Sequence, residues 1–472
     1  MGTPLPHNTS PTTSTHRHST AWSVGINRWC ERHLSPHMHI VILAITTGIA
    51  TGIVSYLFRL LIGKLAGLFE PHIRGWSHNW WLPFIPVAGI LLTGIFTRYV
   101  IHTDLTHGGA QLIHALKDKC YRLKANIMYS PVIGGTLTLG MGGSSGSEGP
   151  IAYTGAAIGS NIGQFFGIAS NNLKILMICG AAAGISAVFM APVGGLMYAL
   201  ELLCVNISAF SVLAVMASCL TSFIVVYLLR GSEPYFHFHT DILFDTKLTP
   251  FVVCLGIFCG IYSLYYSSVI NHLDSYFKGF RNQWARNLTG GLIVGIIVYL
   301  FPSMFSIGYD ILQSMVDGDT SVLAYGSPFS GLFAGGNSLI MAAAGILICK
   351  SWAVIATNGS GGVGGDFAPT LFAGGMAGFL FATVSNTLFA TSLPVPLFVY
   401  LGMAGVMSGA IHTPLMAIFI VMEFSRGYDF ILPLCICSIS SFLTMRIASG
   451  WSINYISIAR HIHWFEEKGS RP

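Results

Sequence analysis

A single acid, Glu148, stands in the glycine-rich stretch GGSSGSEGP (142–150), in the middle of apolar sequence. Glycine has no Cβ, so such a loop lets backbone N–H groups turn toward a ligand. Pro150 suits the first turn of a following helix. The dipole and unpaired N–H groups of a helix start attract anions. Glu148 therefore occupies a place that would welcome an anion, and is itself one. Burial opposes its charge while the helix dipole favours it, and these opposed effects bring its protonation within reach of physiological pH. The plainer reading is a carboxylate that only caps a helix.

Three other stretches can bring polar groups to the same place. GDFAP (365–369) offers the backbone amides of Gly365, Asp366, Phe367 and Ala368, as GSEGP offers those of Ser147 and Gly149. THGGA (106–110) puts His107 and Gly108 at the start of the helical run AQLIHALK. NYISIAR, near the C-terminus, carries Tyr455 with a phenolic donor. Donors of this kind, with no fixed cation among them, hold a small, weakly hydrated anion loosely enough to release it.

The rest of the chain must position these groups inside a membrane. Its 472 residues are 53% hydrophobic and 9% charged, where soluble domains carry about 25% charged residues. This is the composition of an integral protein of a lipid bilayer. Fifty-four glycines fit closely packed and broken helices whose irregular backbone is buried in protein. The net charge of +5 is too modest for nucleic-acid binding, since the basic residues lie in loops near span ends. Cysteines such as Cys204 and Cys254 stand singly in apolar runs, as small hydrophobes rather than a disulfide framework or zinc site. No GxxxxGK[ST] nucleotide loop occurs, and no metal or other cofactor is expected. The first 37 residues are polar and lack the apolar core of a cleavable signal.

Apolar segments run over 39–65, 82–101, 127–140, 151–169, 173–204 and 209–229, then 249–270, 288–305, 308–316, 321–334, 337–357, 367–390 and 394–447. Several are shorter than the ~20 residues of a straight span, which suggests half-helices meeting near the midplane. Arg17, Arg28 and Arg32 precede the first span, and Lys117, Lys119, Arg122 and Lys124 follow two spans later, so both stretches should be cytoplasmic. A second basic loop, with Lys278, Arg281 and Arg286, follows one span after the link at 230–248. If it too is cytoplasmic, the link is external and the two halves begin on opposite sides. An internal repeat agrees. Aligning Pro150 with Pro369 places glycines 140, 142, 143, 146, 155 and 159 on 359, 361, 362, 365, 374 and 378. Aligning Pro192 with Pro414 places Gly180 on Gly402 and Glu201 on Glu423, and Gly48 and Gly52 pair with Gly256 and Gly260. Any one glycine pair is explained by helix packing; the set implies an inverted-repeat transporter with its site between the copies.

Taken together, the motifs resemble the CLC family of chloride channels and chloride/proton antiporters, over residues 40–460. The family patterns GSGIP, GREGP, GxFxP and a late tyrosine face THGGA, GSEGP, GDFAP and Tyr455 here; the two middle ones match closely in order and spacing. The resemblance implies an all-α polytopic fold of two inverted repeats, with about 16–18 tilted and broken helices. The expected organisation is a polar cytoplasmic tail (1–38), a first membrane repeat (39–230), a link (231–248), a second repeat (249–460) and a short cytoplasmic tail (461–472). It also implies a homodimer with one anion pathway per subunit, in the inner membrane of a bacterium, with both termini cytoplasmic. Glu148 would be the gating glutamate, amides at Asp366, Phe367 and nearby would hold the anion, and Tyr455 would donate to the central ion. His107 falls at the family's serine.

The departures bear on mechanism. His107 makes chloride less secure against nitrate or fluoride, or merely fills space. Ser147 replaces the usual arginine, removing a positive charge near the outer mouth. Asp366 adds an acid whose side chain is expected to rest on backbone donors. Antiporters often carry a glutamate pair where this chain has Glu201 and Leu202. Glu201 is thus a candidate inner proton relay or, with its repeat mate Glu423, a scaffold group. The balance leans to proton-coupled exchange, with a passive gated channel as the alternative. A protease is the distant one: Gly143-Ser144-Ser145-Gly146 fits the GxSG of rhomboid proteases, with His412 or His107 as base. That reading explains neither the repeat nor GDFAP, and no enzyme is expected.

Overall fold

Prolines and left-handed residues decide where this apolar sequence breaks into helices. The computed structural model describes residues 35–69, 80–102, 105, 108–203, 208–231, 244–323, 326–327 and 338–449. The expected N-terminal tail up to residue 34, most of the inter-repeat link, the C-terminal tail, His107 and Tyr455 lie outside these residues. The first eight helices are α1 (Pro36–Gly67), α2 (Phe84–Ile95), α3 (Gly108–Lys117), α4 (Ser130–Gly140), α5 (Glu148–Phe165), α6 (Ser170–Phe189), α7 (Pro192–Met197) and α8 (Ala209–Arg230). The next eight are α9 (Thr249–Lys278), α10 (Gln283–Leu300), α11 (Tyr309–Val316), α12 (Ser338–Gly359), α13 (Phe367–Phe389), α14 (Val395–Ile411), α15 (Pro414–Ser425) and α16 (Ile431–Ser449). No strand occurs among the described residues; a lone antiparallel bridge joins Gly146 to Gly365.

The two series pack alike. α5 lies on α6 and α1 on α8 and α6, as α13 lies on α14 and α9 on α16 and α14. Across the halves, α2 packs on α10 and α7 on α15. The repeat-paired glycines explain the close approach. A Cβ on Gly155 or Gly180 would overlap the other's carbonyl, and the same holds for Gly374 and Gly402. Likewise Gly159 abuts the Leu176 carbonyl, and Gly378 that of Phe398. Gly378→Val is expected to cost at least ~3 kcal/mol, since backbone cannot yield to a branched side chain. Size-exclusion chromatography of the extracted protein should show aggregate; a wild-type profile would contradict this.

Among the described residues, eight helices are long and apolar enough to cross a membrane. In the most apolar 18 residues of α6 and α13, 83% and 78% are buried, against 33% in α8, so the former lie central and the latter faces outward. Two runs that read as single segments are divided. Met190 (φ 53°) and Pro192 split 173–204. His412 (φ 64°), Pro414 and Arg426 (φ 56°) split 394–447 into α14, α15 and α16. A left-handed residue followed by proline cannot continue a helix. Of 321–334, the described part holds only a 3₁₀ turn, Ser321–Leu323.

Candidate functional site

The two copies meet at Gly146 and Gly365, the pair that coincides in the sequence repeat. Gly146 N–H donates to Gly365 O at 2.9 Å, and Gly365 N–H to Gly146 O at 2.7 Å. The neighbouring bonds are exchanged in the same way. Ser144 N–H donates to Thr357 Oγ1 at 3.2 Å, and Val363 N–H to Thr138 Oγ1 at 3.0 Å, so each half's threonine holds the other half's loop. Gly142 (φ 85°) and Gly361 (φ 113°) make the matching left-handed turns before them. Two antiparallel loops thus pair about a local two-fold axis, with a helix start just beyond each: α5 at Glu148 and α13 at Phe367.

Glu148 is fully buried at that point. Its Oε1 accepts a hydrogen bond of 3.2 Å from Tyr309 Oη, on α11 of the other half. Among the described residues its Oε2 has no hydrogen-bond partner, and it lies over Gly146, where a Cβ would overlap it. The backbone N–H groups of Glu148 and Ala368 and the guanidinium of Arg59 on α1 also bear on its charge. Arg59 lies 5.6 Å from the Tyr309 ring centre and donates through Nη1 to Val188 O at 2.8 Å. Arg59 and Tyr309 line a cavity of about 510 Å³, with Ser303, Phe305, Asp310 and Asp319 around it.

The other expected residues fall around this acid. α3 begins at Gly108 against the GSEGP loop: a Cβ there would lie 3.0 Å from Gly149 O. Gly149 in turn abuts the second copy, with 2.9 Å between its ideal Cβ and Gly364 O. Ser147 is buried and precedes α5 without a side-chain cap bond. Phe367 sets its ring edge-on to Tyr198, 5.9 Å between centres. Asp366 stands at the start of α13 without a side-chain cap bond, and its Oδ1 accepts from the Asn358 amide at 3.2 Å. Ser145 Oγ donates to Asn358 Oδ1 at 2.7 Å and faces Gly365 O at 2.9 Å, so its proton is directed at structural acceptors. Glu201 turns both oxygens to the start of α15, accepting from Leu415 N–H (3.1 Å) and Met416 N–H (2.7 Å). Glu423 does the same at α7, with Val193 N–H at 3.2 Å and Gly194 N–H at 2.8 Å. The repeat-related acids cap each other's neighbouring helix.

Sequence reasoning passed over three groups here. Tyr309 and Arg59 adjoin the acid, and Lys350, fully buried on α12, donates to Ser144 Oγ at 2.9 Å beneath the same loop. A charge inside an apolar span is costly enough to mark a working region, and that signal was present at both Arg59 and Lys350. Nothing local distinguishes Tyr309.

Helix starts from both halves, converging on a small polar point that a carboxylate can fill, fit a membrane transport protein for anions. The chain belongs to the voltage gated chloride channel family, whose sequence profile matches residues 89–446. It is 28% identical over 390 residues (81% of this chain, 86% of the relative) to a Ralstonia nicotianae protein whose description likens it to the ClcB chloride channel. It is 23% identical over 446 residues (91% of this chain, 90% of the relative) to the H(+)/Cl(-) exchange transporter ClcA of Vibrio cholerae. The fold is shared with a slow cyanobacterial Cl-/H+ antiporter, with a TM-score of 0.72, 21% identity, and 93% of this chain and 100% of that one covered. With the family established, the protease reading of Ser145 falls away.

Proposed function

We propose that the protein exchanges chloride, or a similar small monovalent anion, for protons across a bacterial cell membrane, with Glu148 as gate and proton carrier. One observation carries this: a fully buried carboxylate seated where helix starts from both halves converge. Ionised, Glu148 competes with the anion for those N–H groups. Protonated, it loses that attraction, leaves, and the anion takes its place. When the anion departs and the carboxylate returns, the proton is released. The amides of Gly149, Gly365, Asp366, Phe367 and Ala368 would share in holding the anion, with Gly108 at the third helix start. His107 and Tyr455 carry the roles implied by resemblance, and anion substitution would read the selectivity His107 confers. The name of the Vibrio relative supports exchange. In the proposed orientation both termini are cytoplasmic and the cavity at the far end of α1 faces outside; the homodimer follows the family resemblance.

A passive channel is the second reading, favoured by the backbone bonds that engage both Glu201 oxygens. Reversal potentials of reconstituted protein under chloride and pH gradients decide between them. A potential that moves with the pH gradient means exchange; one that follows chloride alone means a channel.

On this geometry Glu201 acts as a clamp between the halves. Glu201→Gln should leave the number of anions exchanged per proton unchanged and cost about 1–2 kcal/mol of stability, from the weakened charged hydrogen bonds. Thermal unfolding in detergent and paired chloride and proton flux measurements test both parts. Loss of proton flux with stability intact would return Glu201 to the proton path.

A further inference from the structure

We propose that Tyr309 is the latch of the Glu148 gate, and that Arg59 positions it. The proposal rests on Glu148 being the gate. The Tyr309 hydroxyl is the side-chain donor on Glu148 Oε1, and the two residues come from opposite halves, 161 positions apart. Tyr309 is the first residue of the short helix α11, and Gly308 (φ 87°) turns the chain into it. Its side chain is 7% exposed, yet it lines the 510 Å³ cavity, so one residue touches both the buried carboxylate and the route outward. Its ring is held between the Arg59 guanidinium at 5.6 Å and the Phe424 ring at 5.3 Å.

The latch follows from what a carboxylate needs to stay seated. A hydroxyl donor favours the ionised acid over the neutral one, and a hydrogen bond to a charged group is worth about 1.5–3 kcal/mol. Arg59, fixed by its bond to Val188 O, adds positive charge from the cavity side. It thereby supplies from α1 the charge that Ser147 does not. Among the described residues, the other charged or titratable groups around the seat are Tyr266 on α9, Asp366 ahead of α13, and Lys350 on α12 behind Ser144. Asp310 and Asp319 line the cavity wall. Tyr309 alone of these groups is seen to place a donor on a Glu148 oxygen, at 3.2 Å.

Tyr309→Phe removes the hydroxyl and keeps the ring. Anion efflux from proteoliposomes should rise roughly tenfold on the alkaline side of neutral, where the wild-type gate is seated, and the pH profile should move about one unit toward higher pH. In a Glu148→Gln background the same change should do nothing, because the latch has no carboxylate to hold. A wild-type profile for Tyr309→Phe overturns the proposal, as does an equal effect in both backgrounds. If Tyr309→Phe is not monodisperse, Arg59→Gln replaces it, with a shift expected in the same direction; no shift there overturns the proposal too. If Glu148→Gln itself keeps the wild-type pH dependence, the gate reading has failed and the latch falls with it. A null at Tyr309 alone leaves the gate standing.

Discussion

Glu148→Gln is expected to carry anions at a rate that no longer changes with pH, and to carry no protons. The sign follows from the seat. In the wild type, raising the pH ionises Glu148, the carboxylate returns to the helix starts, and anion passage slows. One titrating group limits that fall to about tenfold per pH unit. The neutral amide of glutamine mimics the protonated acid at every pH, so both the slope and the proton disappear. Glu148→Ala should behave alike and pass anions faster, since no side chain is left to re-enter the seat. Paired chloride and proton fluxes in liposomes measure this directly. An unchanged pH slope, or protons still moving against a chloride gradient, would remove Glu148 from its role. The expected change is large because, in the proposed mechanism, the gate and the proton site are one carboxylate.

What the sequence shows of this arrangement depends on how far each signal reaches along the chain. The glycines at 146 and 365 announce both copies of the site, because they recur at matching places in the two halves of the repeat. The alignment pairs those two residues, and in the fold they bond each other. The Glu201–Glu423 correspondence is also legible, but its meaning is not. Only the fold shows that each acid reaches the opposite half's helix start. Helix breaks inside 394–447 are hidden because His412 and Arg426 adopt left-handed conformations that their residue types do not announce. Tyr309 is invisible for a different reason. Its partner lies 161 residues away, and one tyrosine in an apolar segment has no pattern. Asp366 shows the limit of motif reasoning: its position at a helix start is readable, while the Asn358 amide that engages it comes from the end of α12.

Gly146→Ala is expected to unseat the gate without touching the acid. Gly146 does not adopt a left-handed backbone, so alanine is permitted there on conformational grounds. The added methyl would overlap Glu148 Oε2 and sit 3.1 Å from Gly365 O. Of these neighbours, the end of the glutamate side chain moves at least cost, whereas the paired backbone resists. Overpacking of this kind costs about 1–3 kcal/mol, and here that cost falls on the seated conformer. Converted at 1.4 kcal/mol per tenfold, it shifts the seated-to-open ratio by roughly 5- to 150-fold toward open. The variant should therefore fold, pass anions faster at alkaline pH, and move fewer protons per anion, with the titratable carboxylate still present. Gly365→Ala provides the contrast. Its methyl would meet Gly149 N at 2.6 Å, a backbone atom at the start of α5, so the loops themselves must separate and both anion and proton flux should be lost. If Gly146→Ala keeps wild-type coupling while remaining monodisperse, the space over Gly146 is not the seat of the gate.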